Sequence, residues 1–136
     1  MVFKHLGFNV LLIDDAELDM AIFEMTLKLM LIDANLEFCT NGKTAIDKLV
    51  DIHLHDPENT PDYIFLDLNM PVMNGLKFLD EFERLHIDPE GNTKIYILSS
   101  SISDRDINRS TQNPHVANFL HKPINFEKVK AIFAEA

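Results

Sequence analysis

Short apolar runs alternate along the chain with longer amphipathic stretches. Asn9-Val10-Leu11-Leu12-Ile13 is nearly all apolar and rich in branched residues, is too short for a typical helix, and stops at Asp14-Asp15, which predicts a buried strand. Helical periodicity follows from Ala16 to about Leu31. Leu36 to Thr40 predicts a second strand, broken by Asn41-Gly42, and Ala45, Ile46, Leu49 and Val50 then repeat at helical spacing to about Ile52. His53 to Pro61 is polar and proline-bearing, and reads as a loop. Tyr63-Ile64-Phe65-Leu66 predicts a third strand ending at Asp67, and Gly75 to Leu85 a helix with Leu76, Leu79 and Phe82 on one side. A loop over Ile87–Asn92 leads to a fourth strand, Lys94–Leu98. Asp104 to about Gln112 reads as a weak helix capped by Ser103, with Ile107 as its only large apolar residue. Val116–Leu120 is the fifth strand. Asn125 caps a last helix whose apolar positions are Phe126, Val129, Ile132 and Phe133.

Five strand–helix alternations predict an α/β fold, a parallel sheet with helices on both faces, because right-handed crossovers place them there. Strands that are apolar throughout, rather than at every second position, fit burial on both sides. The first helix carries two apolar stripes. Leu18, Ile22, Met25 and Leu29 form one, and Met20, Phe23, Leu27 and Met30 form another nearly opposite. One packs on the sheet. The other either packs against the last helix and the N-terminal segment or is a surface for a partner or a second copy.

At 136 residues the chain suits one domain, and its 46% hydrophobic and 25% charged residues are those of a globular protein. The formal charge of -10 argues against DNA or an anionic membrane as partner and leaves room for metal cations. The lone Cys39 forms no internal disulfide and reads as a small buried hydrophobe; no Cys/His cluster has zinc spacing. No apolar run approaches the roughly 20 residues that span a bilayer, and no signal-peptide pattern follows Met1. The default expectation is a cytoplasmic protein.

In open parallel sheets, ligands bind beyond the carboxyl ends of the strands, where strand order reverses. Those ends hold Asp14-Asp15, Asp67, Ser99 and the segment with Lys122. If the strand order is 2-1-3-4-5, strands one and three are neighbours about 5 Å apart. Three carboxylates then share a rim with a hydroxyl and an ammonium. Carboxylates this close repel unless a cation sits among them, and an oxygen-only cluster favours Mg²⁺ or Mn²⁺ over zinc. One of them can attack phosphorus to give an acyl phosphate, with Lys122 and the metal neutralising the transferring group and Ser99 bonding one of its oxygens. Each residue also has a plainer reading. Asp14 and Glu17 fit a capping box, Asp67 suits a cap for the turn Leu68–Asn74, Ser99 a strand end, and Lys122 an open surface. The conjunction on one rim favours the chemical reading.

The motifs Leu12-Ile13-Asp14-Asp15, Phe65-Leu66-Asp67-Leu68-Asn69-Met70-Pro71-Val72-Met73-Asn74-Gly75, Ile97-Leu98-Ser99-Ser100 and Phe119-Leu120-His121-Lys122-Pro123 together resemble the receiver domain of two-component response regulators, the CheY-like superfamily. The resemblance runs from Asn9 to Phe133. It implies a flavodoxin-like, three-layer, doubly wound sheet of five strands in the order 2-1-3-4-5 with five helices, and residues 1–136 as a single receiver domain. It implies that Asp67 accepts a phosphoryl group from a histidine kinase or phosphotransfer protein. Mg²⁺, with Mn²⁺ as the substitute, would be held by Asp14, Asp15, Asp67 and the backbone carbonyl of Asn69. Ser99 and Phe119 would be the switch pair, Lys122 the lysine at the phosphoryl group, and the Lys122–Pro123 peptide cis. Ser99 stands where threonine is commoner, Ser100 where alanine is usual, and Phe119 lacks a tyrosine hydroxyl. Asn69 and Ser101 fall at positions that tune dephosphorylation.

The resemblance further implies a phosphoacceptor rather than a multiple-turnover enzyme, a monomer or weak dimer, and output by contact with a downstream protein, since no recognition helix follows the last helix. A phosphohydrolase of the haloacid-dehalogenase type is the enzyme alternative. It is disfavoured because Asn69, not a carboxylate, stands two residues after Asp67, and because the acidic pair precedes the nucleophile. A dinucleotide or flavin binder is disfavoured because no Gly-x-Gly-x-x-Gly follows the first strand.

Overall fold

The computed structural model describes residues 7–70, 73–100 and 103–134; Pro71, Val72 and Ser101 of the motifs above lie outside them. The elements run β1 (Phe8–Ile13), α1 (Glu17–Leu29), β2 (Ala34–Cys39), α2 (Gly42–His55), a short 3₁₀ turn (Pro57–Asn59), β3 (Tyr63–Asp67), α3 (Gly75–Arg84), β4 (Lys94–Ser99), α4 (Asp104–Thr111), β5 (Val116–His121) and α5 (Phe126–Ala134). The strands form one parallel sheet in the order β2-β1-β3-β4-β5. Strand order therefore reverses between β1 and β3.

Successive strand residues point to opposite faces, and the two cores divide accordingly. Leu11, Ile13, Ile64, Leu66, Ile95 and Ile97 meet Ala45, Ile46 and Leu49 of α2 and Phe78, Leu79 and Phe82 of α3. Val10, Leu12, Phe65, Tyr96 and Leu98 meet Phe23 and Leu27 of α1 and Val129, Ile132 and Phe133 of α5. Rings on this second face pack closely, Phe23 with Phe65 at 4.7 Å and Tyr63 with Phe133 at 4.8 Å. Full burial of side chains this size stabilises by about 2–3 kcal/mol each, so central strands covered on both faces carry most of the fold's stability.

Two local readings need correction. Asp14 and Glu17 form no capping box: the residue before α1 is Ala16, without a side-chain cap, and Asp14 Oδ1 instead accepts the Ala16 N–H at 2.9 Å. Helix α2 continues through His53-Leu54-His55 rather than giving way to a loop. Polarity does not end a helix, and the first residue that cannot extend it is Pro57. Phe126, one of the apolar positions of α5, is 43% exposed. The caps at Ser103 and Asn125 are as expected, accepting from Asp106 N–H and Lys128 N–H. On α1, the stripe that packs on the sheet is the one with Phe23 and Leu27, whereas Leu18, Met25 and Leu29 are 62–71% exposed.

Gly42, beside the Met73 carbonyl, and Gly75 hold the loop between β3 and α3 close to its neighbours. A Cβ on Gly75 would lie 2.7 Å from Leu68 Cα and 2.8 Å from the Asp67 carbonyl oxygen, both backbone atoms that cannot swing aside. Gly75→Ala is expected to lower stability by about 2 kcal/mol, since the clash outweighs the gain of at most about 1 kcal/mol in helix propensity. Urea denaturation checks this; an unchanged midpoint would show that the loop can give way.

Candidate functional site

Four strand ends converge on one rim. Asp14 follows β1, and its N–H donates to the Cys39 carbonyl at 3.0 Å, which seats it at the tip of the sheet. Asp67 ends β3 and Ser99 ends β4. Lys122 follows β5, and its N–H donates to the Ser99 carbonyl at 3.0 Å, so the pairing of β4 and β5 carries the lysine in over the rim. The Lys122–Pro123 peptide is cis. Asp14, Asp67 and Ser99 are buried, Asp15 is exposed, and Phe119 is half-buried against the α2–α3 core.

One carboxylate oxygen from each of Asp14, Asp15 and Asp67 lies within 4.8 Å of the others. Each pair of charges at that separation repels by about 3 to 4 kcal/mol at an effective dielectric near 20, and cations nearby offset that repulsion. Lys122 supplies one. Its Nζ lies 2.9 Å from Asp14 Oδ2, 3.2 Å from Asp67 Oδ2 and 2.7 Å from Asp19 Oδ2. Burial works against the ammonium charge, but Asp19, Asp14 and Asp67 outweigh it and hold the group above the usual lysine range. For Asp14 the balance is reversed. Burial raises its carboxyl above the ordinary value, and Lys122 and the Ala16 N–H only partly offset that.

Asp14 Oδ1 is taken by the Ala16 N–H. The buried Oδ2 touches the ammonium but receives no hydrogen bond of proper geometry among the described residues. A buried anionic oxygen left with charge contact alone suits a cation. Three oxygen donors without His or Cys suit a hard divalent ion that keeps its other positions for water or phosphate.

Asn69 ties two parts of the rim together. Its N–H donates to Asp67 Oδ1 at 3.0 Å, fixing the carboxylate's rotation, and its side-chain amide donates to Ser99 Oγ at 3.1 Å. The capping role considered for Asp67 thus survives as this one local turn. Asp19 was not anticipated. An acidic residue in a first helical turn reads equally well as compensation for the helix dipole, so the sequence carries no signal separating the two roles.

The model of the response regulator receiver domain matches residues 10–134. The chemotaxis protein CheY of Thermotoga maritima is 34% identical over 98 residues, 70% of this chain and 69% of that protein. A two-component response regulator from Cytophaga hutchinsonii superposes with a TM-score of 0.79 at 27% identity, covering 96% of both chains. The Mn²⁺-bound form of the response regulator Rcp1 does so with a TM-score of 0.76 at 27% identity, covering 93% of this chain and 92% of that one.

Proposed function

The chain belongs to the response regulator receiver domain family of two-component signalling, and from that premise we propose that it is a phosphorylation-switched signalling module whose Asp67 accepts the phosphoryl group. Aspartyl phosphorylation and Mg²⁺ binding are features of this family. The observation that carries the reading is the contact of one ammonium with three carboxylates, two of which belong to a group able to hold a divalent ion.

Asp14, Asp15 and Asp67, with the Asn69 carbonyl, would hold the ion, and the Mn²⁺ form of Rcp1 supports a metal of this kind. Bound there, Mg²⁺ supplies positive charge to the oxygens of the transferring group. The chain's own residues do the rest. The Asn69 N–H engages Asp67 Oδ1 and leaves Oδ2, on the Lys122 side, as the oxygen directed at a phosphoryl donor. Attack of that oxygen on phosphorus forms the acyl phosphate, while the donor's bond to phosphorus breaks and its electron pair leaves with the donor. Lys122 stays charged across the physiological range and balances the added negative charge. Ser99 is the hydroxyl that turns toward the phosphoryl group, and leaving its Asn69 partner frees the space that Phe119 then enters. The phosphoryl source is a histidine kinase or a phosphotransfer protein, and the output is contact with another protein. Among the described residues no helix is long and apolar enough to cross a membrane, which fits a cytoplasmic site of action.

Incubation with acetyl phosphate and Mg²⁺ tests the reading. Intact-mass spectrometry is expected to show one added phosphoryl group per chain, removable by hydroxylamine as acyl phosphates are. No adduct, or sustained release of p-nitrophenol from p-nitrophenyl phosphate, would reject a phosphoacceptor; the latter would point to a hydrolase.

A further inference from the structure

Asp19 differs from the other two carboxylates that hold Lys122. It sits in the first turn of α1 and is not a member of the Asp14–Asp15–Asp67 group, yet at 2.7 Å it makes the shortest contact to Nζ. The longer contacts, 2.9 and 3.2 Å, go to Asp14 and Asp67. A divalent ion entering the group therefore competes with the ammonium for both of them, and the two cations repel. The lysine side chain is only 14% exposed, so an ammonium pushed off Asp14 and Asp67 needs another anion within reach. Asp19 already touches it. Asp19 is also 31% exposed, so water supports its charge in a way that the fully buried Asp14 cannot share.

We propose that Asp19 is a positioning residue that retains Lys122 when a divalent ion enters the acidic group, keeping the ammonium clear of the ion and beside Asp67. The inference rests on the Mg²⁺-dependent phosphoacceptor reading and adds a residue to it. The ammonium gives up its two longer contacts, keeps its shortest one, and remains available to the phosphoryl group. Without Asp19 the ion would have to expel an ammonium that has nowhere to go.

Removing any nearby negative charge weakens cation binding, so the test must separate that direct effect from one acting through Lys122. Mg²⁺ affinity is measured by calorimetry on the full chain for wild type, Asp19→Asn, Lys122→Met and the double variant, with circular dichroism to verify folding. Asp19→Asn is expected to weaken Mg²⁺ binding about tenfold in the wild-type background but less than about twofold in the Lys122→Met background. An equal loss in both backgrounds would overturn the proposal, because Asp19 would then act on the ion directly. Nitrogen NMR of the Lys122 ammonium gives a second readout. Its signal is expected to survive Mg²⁺ saturation in wild type and to be lost to exchange in Asp19→Asn; survival in both would overturn the proposal. Absence of Mg²⁺ uptake by wild type would instead reject the phosphoacceptor reading on which the inference stands.

Discussion

Asp67→Asn is expected to abolish phosphoryl labelling by acetyl phosphate in Mg²⁺ while the chain stays folded. The change is nearly isosteric. The amide oxygen can still accept the Asn69 N–H that Asp67 Oδ1 accepts now, so the turn after β3 keeps its shape. Lys122 loses its 3.2 Å contact but retains Asp14 at 2.9 Å and Asp19 at 2.7 Å. On the proposed reading, what disappears is the anionic oxygen that attacks phosphorus, because an amide is not a nucleophile of that kind. The measurement is intact-mass spectrometry beside a thermal melt. Full loss of the adduct with a midpoint within about 2 °C of wild type is the expected pair, since the buried position keeps its shape and its Asn69 hydrogen bond. A persisting adduct would move the acceptor to another residue.

The second large effect concerns Asp14, and it has two opposite signs. Its carboxyl lies above its ordinary value of 3.8 because burial disfavours the charged form. In the unfolded chain the group ionises more readily, so at neutral pH its ionisation favours unfolding, a cost that fades as pH falls through the raised value toward 3.8. Asp14→Asn removes that cost, and the amide oxygen can still accept the Ala16 N–H. The metal-free variant is expected to be more stable than wild type at pH 7 by about 1 kcal/mol, with a midpoint higher by about 3 °C, and to lose that advantage near pH 4. Mg²⁺ should invert the order. The variant lacks the buried carboxylate proposed to hold the ion, and its affinity is expected to fall by about a hundredfold or more. Saturating Mg²⁺ then raises the wild-type midpoint and leaves that of the variant in place. Melts at pH 7 and pH 4, with and without Mg²⁺, check all of this; a less stable metal-free variant at pH 7 would show that Asp14 is there to support the fold.

Much of this fold is legible in the amino-acid order. Apolar runs in β1, β3 and β4 cannot be satisfied by one buried face, which forces helices onto both sides of the sheet. The residues ending those runs, Asp14, Asp67 and Ser99, could be chosen because a parallel sheet presents all its carboxyl ends on one edge. Helix α2 outruns the loop expected from His53 onward because polarity does not stop a helix, whereas Pro57 does. The plainer capping reading of Asp14 and Glu17 fails because Asp14 has its N–H and one carboxylate oxygen already engaged at the strand tip.

Side-chain direction on β5 belongs to the tertiary structure. The register with β4 shifts between Ile95, opposite Val116, and Tyr96, opposite Asn118. The extra residue lets Val116 and Phe119, three apart, pack on the same core, which strict alternation forbids. Which stripe of α1 meets the sheet was settled in the same way: both are apolar, and only the seating of Phe23 against Phe65 selects one.

The amino-acid order by itself determined the alternation of elements, the edge of the sheet that carries chemistry and the residue types available there, because hydrophobic period and strand-end position are local properties of the chain. Only the folded arrangement decided that Lys122 meets Asp19 more closely than it meets Asp14 or Asp67, and that Asn69 reaches across to Ser99. Those contacts join residues 103 and 30 positions apart. Their geometry depends on how helix and strand tips pack to within an ångström, and no pattern of residue types encodes a distance.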